Sequence, residues 1–162
     1  MPNARRFALS ALLVVGSAAL AGLLASLSTP RYAGARVPPA ADLPWPPAVT
    51  ASDRQLPFSL LYVDSRCSHC SRAAALLDSI ATARGFRAVV VAPEDSAAAT
   101  EYRRHLGLHL PIATDSSSRL IHAIGTGSVP TLVLFHADGS RQLVVGFTRD
   151  APYRRVLAEF AK

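Results

Sequence analysis

An α/β chain with a mixed central sheet flanked by helices is predicted by three features of the sequence. Between Pro57 and Gly107, short apolar runs rich in β-branched residues alternate with segments of helical periodicity. Between Thr131 and Val145, two apolar runs flank Asp138–Gly139, a strong hairpin signal. A last amphipathic segment then closes the chain.

The elements follow in order. "PFSLLYV", Pro57 to Val63, is a buried-strand pattern. Ser71 to Arg84 carries leucine, isoleucine and alanine at helical spacing, and Gly85 stands where a helix would stop. "FRAVVVA", Phe86 to Ala92, is β-branched and again reads as a buried strand. The next helix has Asp95 or Ser96 as N-cap and ends at Gly107. Strand–helix–strand order makes the first two strands parallel, joined by a right-handed crossover. "LPIATD" is a brief apolar segment, followed by a short helix capped near Asp115 or Ser116. Thr131 to Phe135 and Gln142 to Val145 are the arms of the hairpin. Asp150 is the expected N-cap of the closing helix, with Pro152 in its first turn.

The amino-terminal part has a different character. Residues 1–29 contain "FALSALLVVGSAALAGLLASLST", Phe7 to Thr29, an uncharged run long enough to cross a bilayer, which takes about 20 residues. Arg5 and Arg6 precede it, so the amino terminus is expected inside and the rest exported. A cleaved signal peptide, with Ala33 to Ala35 as cleavage site, is the alternative. The apolar run exceeds the core of about 7–15 residues usual for such peptides, which favours an uncleaved single-pass anchor. Residues 30–55 are rich in proline and alanine and read as an extended linker, unless Trp45 packs onto the domain and orders part of it. Residues 56–162 form the folded domain. The net charge is +6, but four of those charges lie before residue 37 without a single acid. That distribution suits membrane topology and not a nucleic-acid surface.

The chain has two cysteines, Cys67 and Cys70, between the end of a predicted strand and the start of a helix. Unpaired N–H groups and the helix dipole favour an anion there, so a thiolate at Cys67 is stabilised. Cys70, one turn later, is placed to resolve a mixed disulfide formed at Cys67. His69, as a cation or hydrogen-bond donor, would tune the Cys67 pKa and make the disulfide more oxidising; the bland reading is an exposed loop residue. Proline before a strand, in "GSVPT", Gly127 to Thr131, is unusual because it cannot donate to the ladder. A cis Val129–Pro130 bond and a trans proline at a strand entrance are both compatible with it.

"RCSHC" between strand and helix, followed by "SVPTLVLFHADG" and "VGFT", resembles the thioredoxin superfamily. More narrowly, it resembles the membrane-anchored, exported TlpA-like and redoxin-type thiol–disulfide oxidoreductases, over about Leu56 to Phe160. The resemblance implies a thioredoxin-like fold, with Cys67 as nucleophile, Cys70 as resolving cysteine and Pro130 as the cis-proline facing them. Val129 would offer its backbone to an extended substrate peptide. It implies no cofactor or resident metal. Its expected partners are cysteine-containing exported proteins and a membrane electron donor or acceptor, and its expected place is the extracytoplasmic (periplasmic) side of the cytoplasmic membrane. A reductant in cytochrome c or metal-site maturation is the class expectation; an oxidant of exported proteins is the alternative. Two departures stand out. Arg66 replaces the tryptophan usual before the first cysteine, and Leu61 stands where many relatives bury an acid.

Other chemistries fit less well. Structural zinc normally takes four ligands, so His105, His109, His122 or His136 would have to converge on the cysteines. A Cu(I) metallochaperone of the same fold remains a second reading, since Cu(I) suits two thiolates with a histidine. Such carriers, however, generally place three residues between their cysteines, where this chain has only Ser68 and His69. Redoxin-type peroxidases need a proline and a hydroxyl residue just before the reactive cysteine, where Asp64, Ser65 and Arg66 stand. A purely structural disulfide closing so short a loop would add little.

Overall fold

The computed structural model describes residues 37–162. The expected membrane segment and the first residues of the expected linker lie outside the described residues. Among the described residues, no helix is long and apolar enough to cross a membrane.

The regular elements are β1 (Phe58–Tyr62), α1 (Ser68–Arg84), β2 (Arg87–Ala92), α2 (Ser96–Leu106), β3 (Ile112–Thr114), α3 (Arg119–Ile124), β4 (Thr131–Phe135), β5 (Arg141–Val145) and α4 (Asp150–Phe160). The strands form one sheet in the order β3-β2-β1-β4-β5. β1 runs parallel to β2, and β2 to β3, while β4 lies antiparallel to β1 and to β5. The mixed sheet with a hairpin on one side is the architecture expected from the sequence. The brief apolar segment after Gly107 becomes the edge strand β3.

β1 sits in the middle, and all five of its residues are buried. Its alternate side chains enter two cores. Leu61 and Val63 join α1, α2 and α4 on one face; Phe58, Leu60 and Tyr62 join α3 on the other. A strand covered on both faces has no polar side to show, which is why its sequence lacks alternation. The helix ends follow from capping chemistry. Asp95 accepts the N–H groups of Ala97 and Ala98, each at 2.9 Å, and opens α2. Gly85, with a left-handed φ of 72°, closes α1.

Two expectations change, and a third, Asp115 as the capping side chain of α3, holds. Arg149 and not Asp150 holds the N-cap position of α4; Asp150 opens the helix, and its carboxylate reaches Arg72. Ser118 occupies the N-cap position of α3, but Asp115 does the capping from upstream, accepting the N–H of Arg119 at 3.1 Å and of Leu120 at 2.9 Å. The largest change concerns the expected linker. From Val37 onward it does not stand off as a spacer but lies on the sheet. Val37, Leu43 and Val49 are buried, and Trp45 packs at 5.8 Å from Phe58 and 6.2 Å from Phe135. The reason is area. α3 has only six residues and cannot cover the β1–β4 side of its face. Without Trp45 and its neighbours, the stacked pair Phe58–Phe135 would meet water. The Leu56–Pro57 bond, where this segment turns into β1, is cis.

Trp45 is the chain's one tryptophan, so its packing can be read directly. The folded protein should show blue-shifted tryptophan emission that moves red in the same urea transition as the loss of secondary structure. Trp45→Ala should lower stability by about 2 kcal/mol, less than a fully buried tryptophan would, because the ring is only half buried. Solvent-like emission in the folded state would contradict this packing.

Candidate functional site

The chain leaves β1 at Tyr62 and reaches α1 through Val63, Asp64, Ser65, Arg66 and Cys67. The turn is tied at both ends. Asp64 accepts the Arg66 N–H at 2.8 Å and the guanidinium at 3.2 and 3.1 Å, while its carbonyl accepts the Cys67 N–H at 3.1 Å. The Ser65 N–H donates to Glu94 Oε1 at 2.6 Å, anchoring the turn to the end of β2. Cys67 therefore arrives at a defined place: it is the N-cap of α1. Its Sγ accepts the N–H of Cys70 at 3.3 Å, filling the role a serine or aspartate oxygen usually plays.

The two sulfurs have different surroundings. Both are free thiols, Cys67 half buried and Cys70 wholly buried. Burial, and then the hydrogen bond it donates to Cys67, push the Cys70 thiol up to about 12. The backbone amide of Asp64 pulls in the other direction. Cys67 thus offers an accessible sulfur held by backbone N–H, while Cys70 keeps its proton until its surroundings change.

The cis bond between Val129 and Pro130 lies just before β4. Thr131 pairs with Tyr62 across the antiparallel ladder, so Pro130 and the start of the cysteine loop share one end of the sheet. The segment is fixed from behind: Thr131 donates its hydroxyl to the Ser128 carbonyl at 2.6 Å, and the Pro130 carbonyl accepts the Gly146 N–H at 2.8 Å. Val129 is half buried against both cores. Among the described residues, its backbone N–H and carbonyl have no hydrogen-bond partner.

His69 is exposed in the first turn of α1, and among the described residues its ring makes no hydrogen bond. Arg66 and Arg72 are both occupied, by Asp64 and by Asp150 at 2.8 Å. Asp64 is drawn down by the Arg66 guanidinium, to which it is hydrogen-bonded. The other histidines lie elsewhere in the fold. His109 pairs with Asp78 at 3.0 Å, and His136 packs edge-on against Phe160. Among the described residues, no group of three or more histidine, cysteine or acidic side chains could hold a metal ion. A surface cavity of about 430 Å³ lies among Pro39, Arg54, Leu56 and Arg141, at the other end of β4 and away from the cysteines.

Sequence reasoning did not find three contributors: Glu94 as the anchor of Ser65, the Asp64–Arg66 clamp, and Tyr153, which is buried in the same core as Cys70. Only Asp64 carried a local signal, since an acid two residues before an arginine at a strand end can close a turn.

No family model matches the chain, and no curated protein matches it either. Solved structures do. A secreted Mycobacterium tuberculosis disulfide oxidoreductase homologous to E. coli DsbE is 20% identical, with a TM-score of 0.58 over 65% of this chain and 80% of that one. A thioredoxin-family thiol:disulfide interchange protein from Chlorobium tepidum is 19% identical, with a TM-score of 0.58 over 83% of this chain and 97% of that one. The exposed lipoprotein thioredoxin Etrx1 of Streptococcus pneumoniae is 23% identical, with a TM-score of 0.53 over 63% and 83%. The fold is accordingly thioredoxin-like.

The unequal environments of the two thiols can be measured. Iodoacetamide at pH 8, followed by peptide mapping, should label Cys67 and leave Cys70 intact in the folded protein. Burial and its hydrogen bond to Cys67 hold the Cys70 thiol protonated well above this pH, and the side chain has no surface to offer. Both cysteines should react once urea unfolds the chain. Equal labelling in the folded state would overturn this assignment.

Proposed function

We propose that the chain is a thiol–disulfide oxidoreductase that exchanges disulfides with cysteine-containing exported proteins. The observation that carries this is the accessible N-cap thiol of Cys67, whose sulfur accepts the backbone N–H of the wholly buried Cys70 one turn later. Cys67, as thiolate, attacks a sulfur of the substrate disulfide and forms a mixed disulfide. Cys70 then attacks Cys67 Sγ, the second substrate sulfur leaves as a thiol, and Cys67–Cys70 is oxidised. The unpartnered backbone of Val129 beside cis-Pro130 suits an extended peptide laid along that edge, which would bring the substrate disulfide to Cys67.

A reductive role fits the resemblance best, with cysteines of cytochrome c or of metal sites as substrate class. His69 keeps an oxidising role in view, because a positive charge there would favour the reduced form. The apolar run of residues 7–29 would tether the domain to the outer face of the cytoplasmic membrane, where a membrane partner would reset its redox state. Protease added to spheroplasts should then degrade the domain while the cytoplasmic proteins of the same spheroplasts stay intact.

Reduction of insulin by dithiothreitol tests the chemistry. Cys67→Ser should reduce the rate to the uncatalysed background. Cys70→Ser should keep the first attack and accumulate a thiol-sensitive adduct with substrate. A reduction potential near the thioredoxin value of about −270 mV would support the reductant, and one near about −120 mV the oxidant. An unaltered insulin rate in Cys67→Ser would overturn the proposal.

A further inference from the structure

The cavity of about 430 Å³ at the end of β4 away from the cysteines plays no part in the exchange chemistry, yet its lining is chemically distinctive. Leu56 and Phe135 give it apolar walls. Leu56, 44% exposed, is the one large apolar side chain left open to water among the described residues. Arg54 and Arg141 add two guanidiniums, and no acid lines the cavity. Backbone carbonyls, not counter-charges, hold both in place. Arg54 Nε donates to the Thr50 carbonyl at 3.1 Å, and its guanidinium lies over the Trp45 ring at 5.5 Å. Arg141 Nη1 donates to the Gly139 carbonyl at 3.1 Å. Among the described residues, Arg66, Arg72 and Arg104 each meet a carboxylate, whereas Arg54 and Arg141 meet none. Residues 1–36 contain no aspartate or glutamate, so they cannot supply the missing charge. Two preset guanidiniums beside exposed apolar carbon suit an anion that carries apolar matter with it. A phosphate fits best, because a guanidinium can grip two of its oxygens with parallel hydrogen bonds.

The layout of the chain says where such an anion is met. Pro39, in the wall of the cavity, stands two residues after Val37, and residues 30–36 are all that separates Val37 from the uncharged run Phe7 to Thr29. Fully extended, that stretch reaches at most about 28 Å. It also carries Arg31 and Arg36. Basic residues so close to a bilayer are drawn to anionic headgroups. We propose that the Arg54–Arg141 cavity binds the phosphodiester headgroup of an anionic phospholipid, with Leu56 against its glycerol and first acyl carbons. The inference rests on the membrane tether proposed above. Docked in this way, the domain has the Phe135 end of β4 at the bilayer. The Thr131 end, which pairs with Tyr62 beside the cysteine loop, is then turned toward soluble substrates.

Quenching of Trp45 reads the docking, because it is the chain's one tryptophan and lies under Arg54. The full chain is reconstituted in vesicles of phosphatidylcholine alone or mixed with phosphatidylglycerol, each with a trace of lipid bearing a nitroxide on its headgroup. Emission should be quenched more strongly as the phosphatidylglycerol content rises. Arg141→Gln should raise the content needed for half-maximal quenching about fivefold, the effect of one basic residue at an anionic surface. Adding Arg54→Gln should abolish the dependence on phosphatidylglycerol. Insulin reduction should keep its wild-type rate in both variants, since neither arginine is near the cysteines. Arg141→Gln alone carries the test if loss of Arg54 disturbs the packing of Trp45. Equal quenching in neutral and anionic vesicles, or an unchanged titration in Arg141→Gln, overturns the inference. Loss of quenching on adding inorganic phosphate at constant ionic strength also overturns it, by showing a site for the free anion. In each of these cases the tether stands if the wild-type chain stays with the vesicles through an alkaline carbonate wash. Release by that wash overturns the tether, and the inference with it.

Discussion

The burial of β1 on both faces is the constraint on which the rest of the molecule depends. A five-residue strand paired on both sides and covered on both faces can neither slip nor tilt without exposing large side chains or breaking ladder bonds. The position of Cys67 follows from it. The loop after Tyr62 has few residues in which to turn, and Asp64, Arg66 and Glu94 hold that turn from three sides. The cysteine pair is thus carried by a tightly hydrogen-bonded turn at the end of the buried strand, with Cys67 half buried and Cys70 wholly buried.

From that fixed point the site draws its asymmetry. α1 starts at the loop and leads straight into the core, so its first turn crosses from water to apolar interior within three residues. Cys67 falls on the wet side and Cys70 on the dry side. The same backbone N–H that begins the helix is spent on the Cys67 sulfur. The difference between the accessible and the buried thiol therefore comes from the geometry of a helix entering a core. Neighbouring charges contribute less, since both arginines near the pair are already matched by aspartates.

Covering the sheet has a second consequence. The α1–α4 face is closed by long helices, whereas the α3 face is closed by a short helix and the Val37–Gln55 stretch. Pro39 and Ala40 of that stretch lie beside Phe135 and Arg141, at the end of β4 away from the cysteines.

The sequence by itself determined the alternation of strands and helices, the hairpin at Asp138–Gly139, and the placing of Cys67 and Cys70 at a strand-to-helix junction. These depend on periodicity, turn residues and caps, which act within a few positions. The Asp115 cap of α3 was legible, whereas the N-cap of α4 was read one residue late, at Asp150, whose carboxylate instead reaches Arg72. Only the tertiary structure decided that Trp45 covers Phe58 and Phe135, that Glu94 anchors Ser65, that Val129–Pro130 is cis, and that Tyr153 shares a core with Cys70. Each joins residues far apart in the chain, and local pattern carries no information about which buried faces will meet. A proline-rich stretch looks like a spacer until the sheet beneath it proves too wide for its helices.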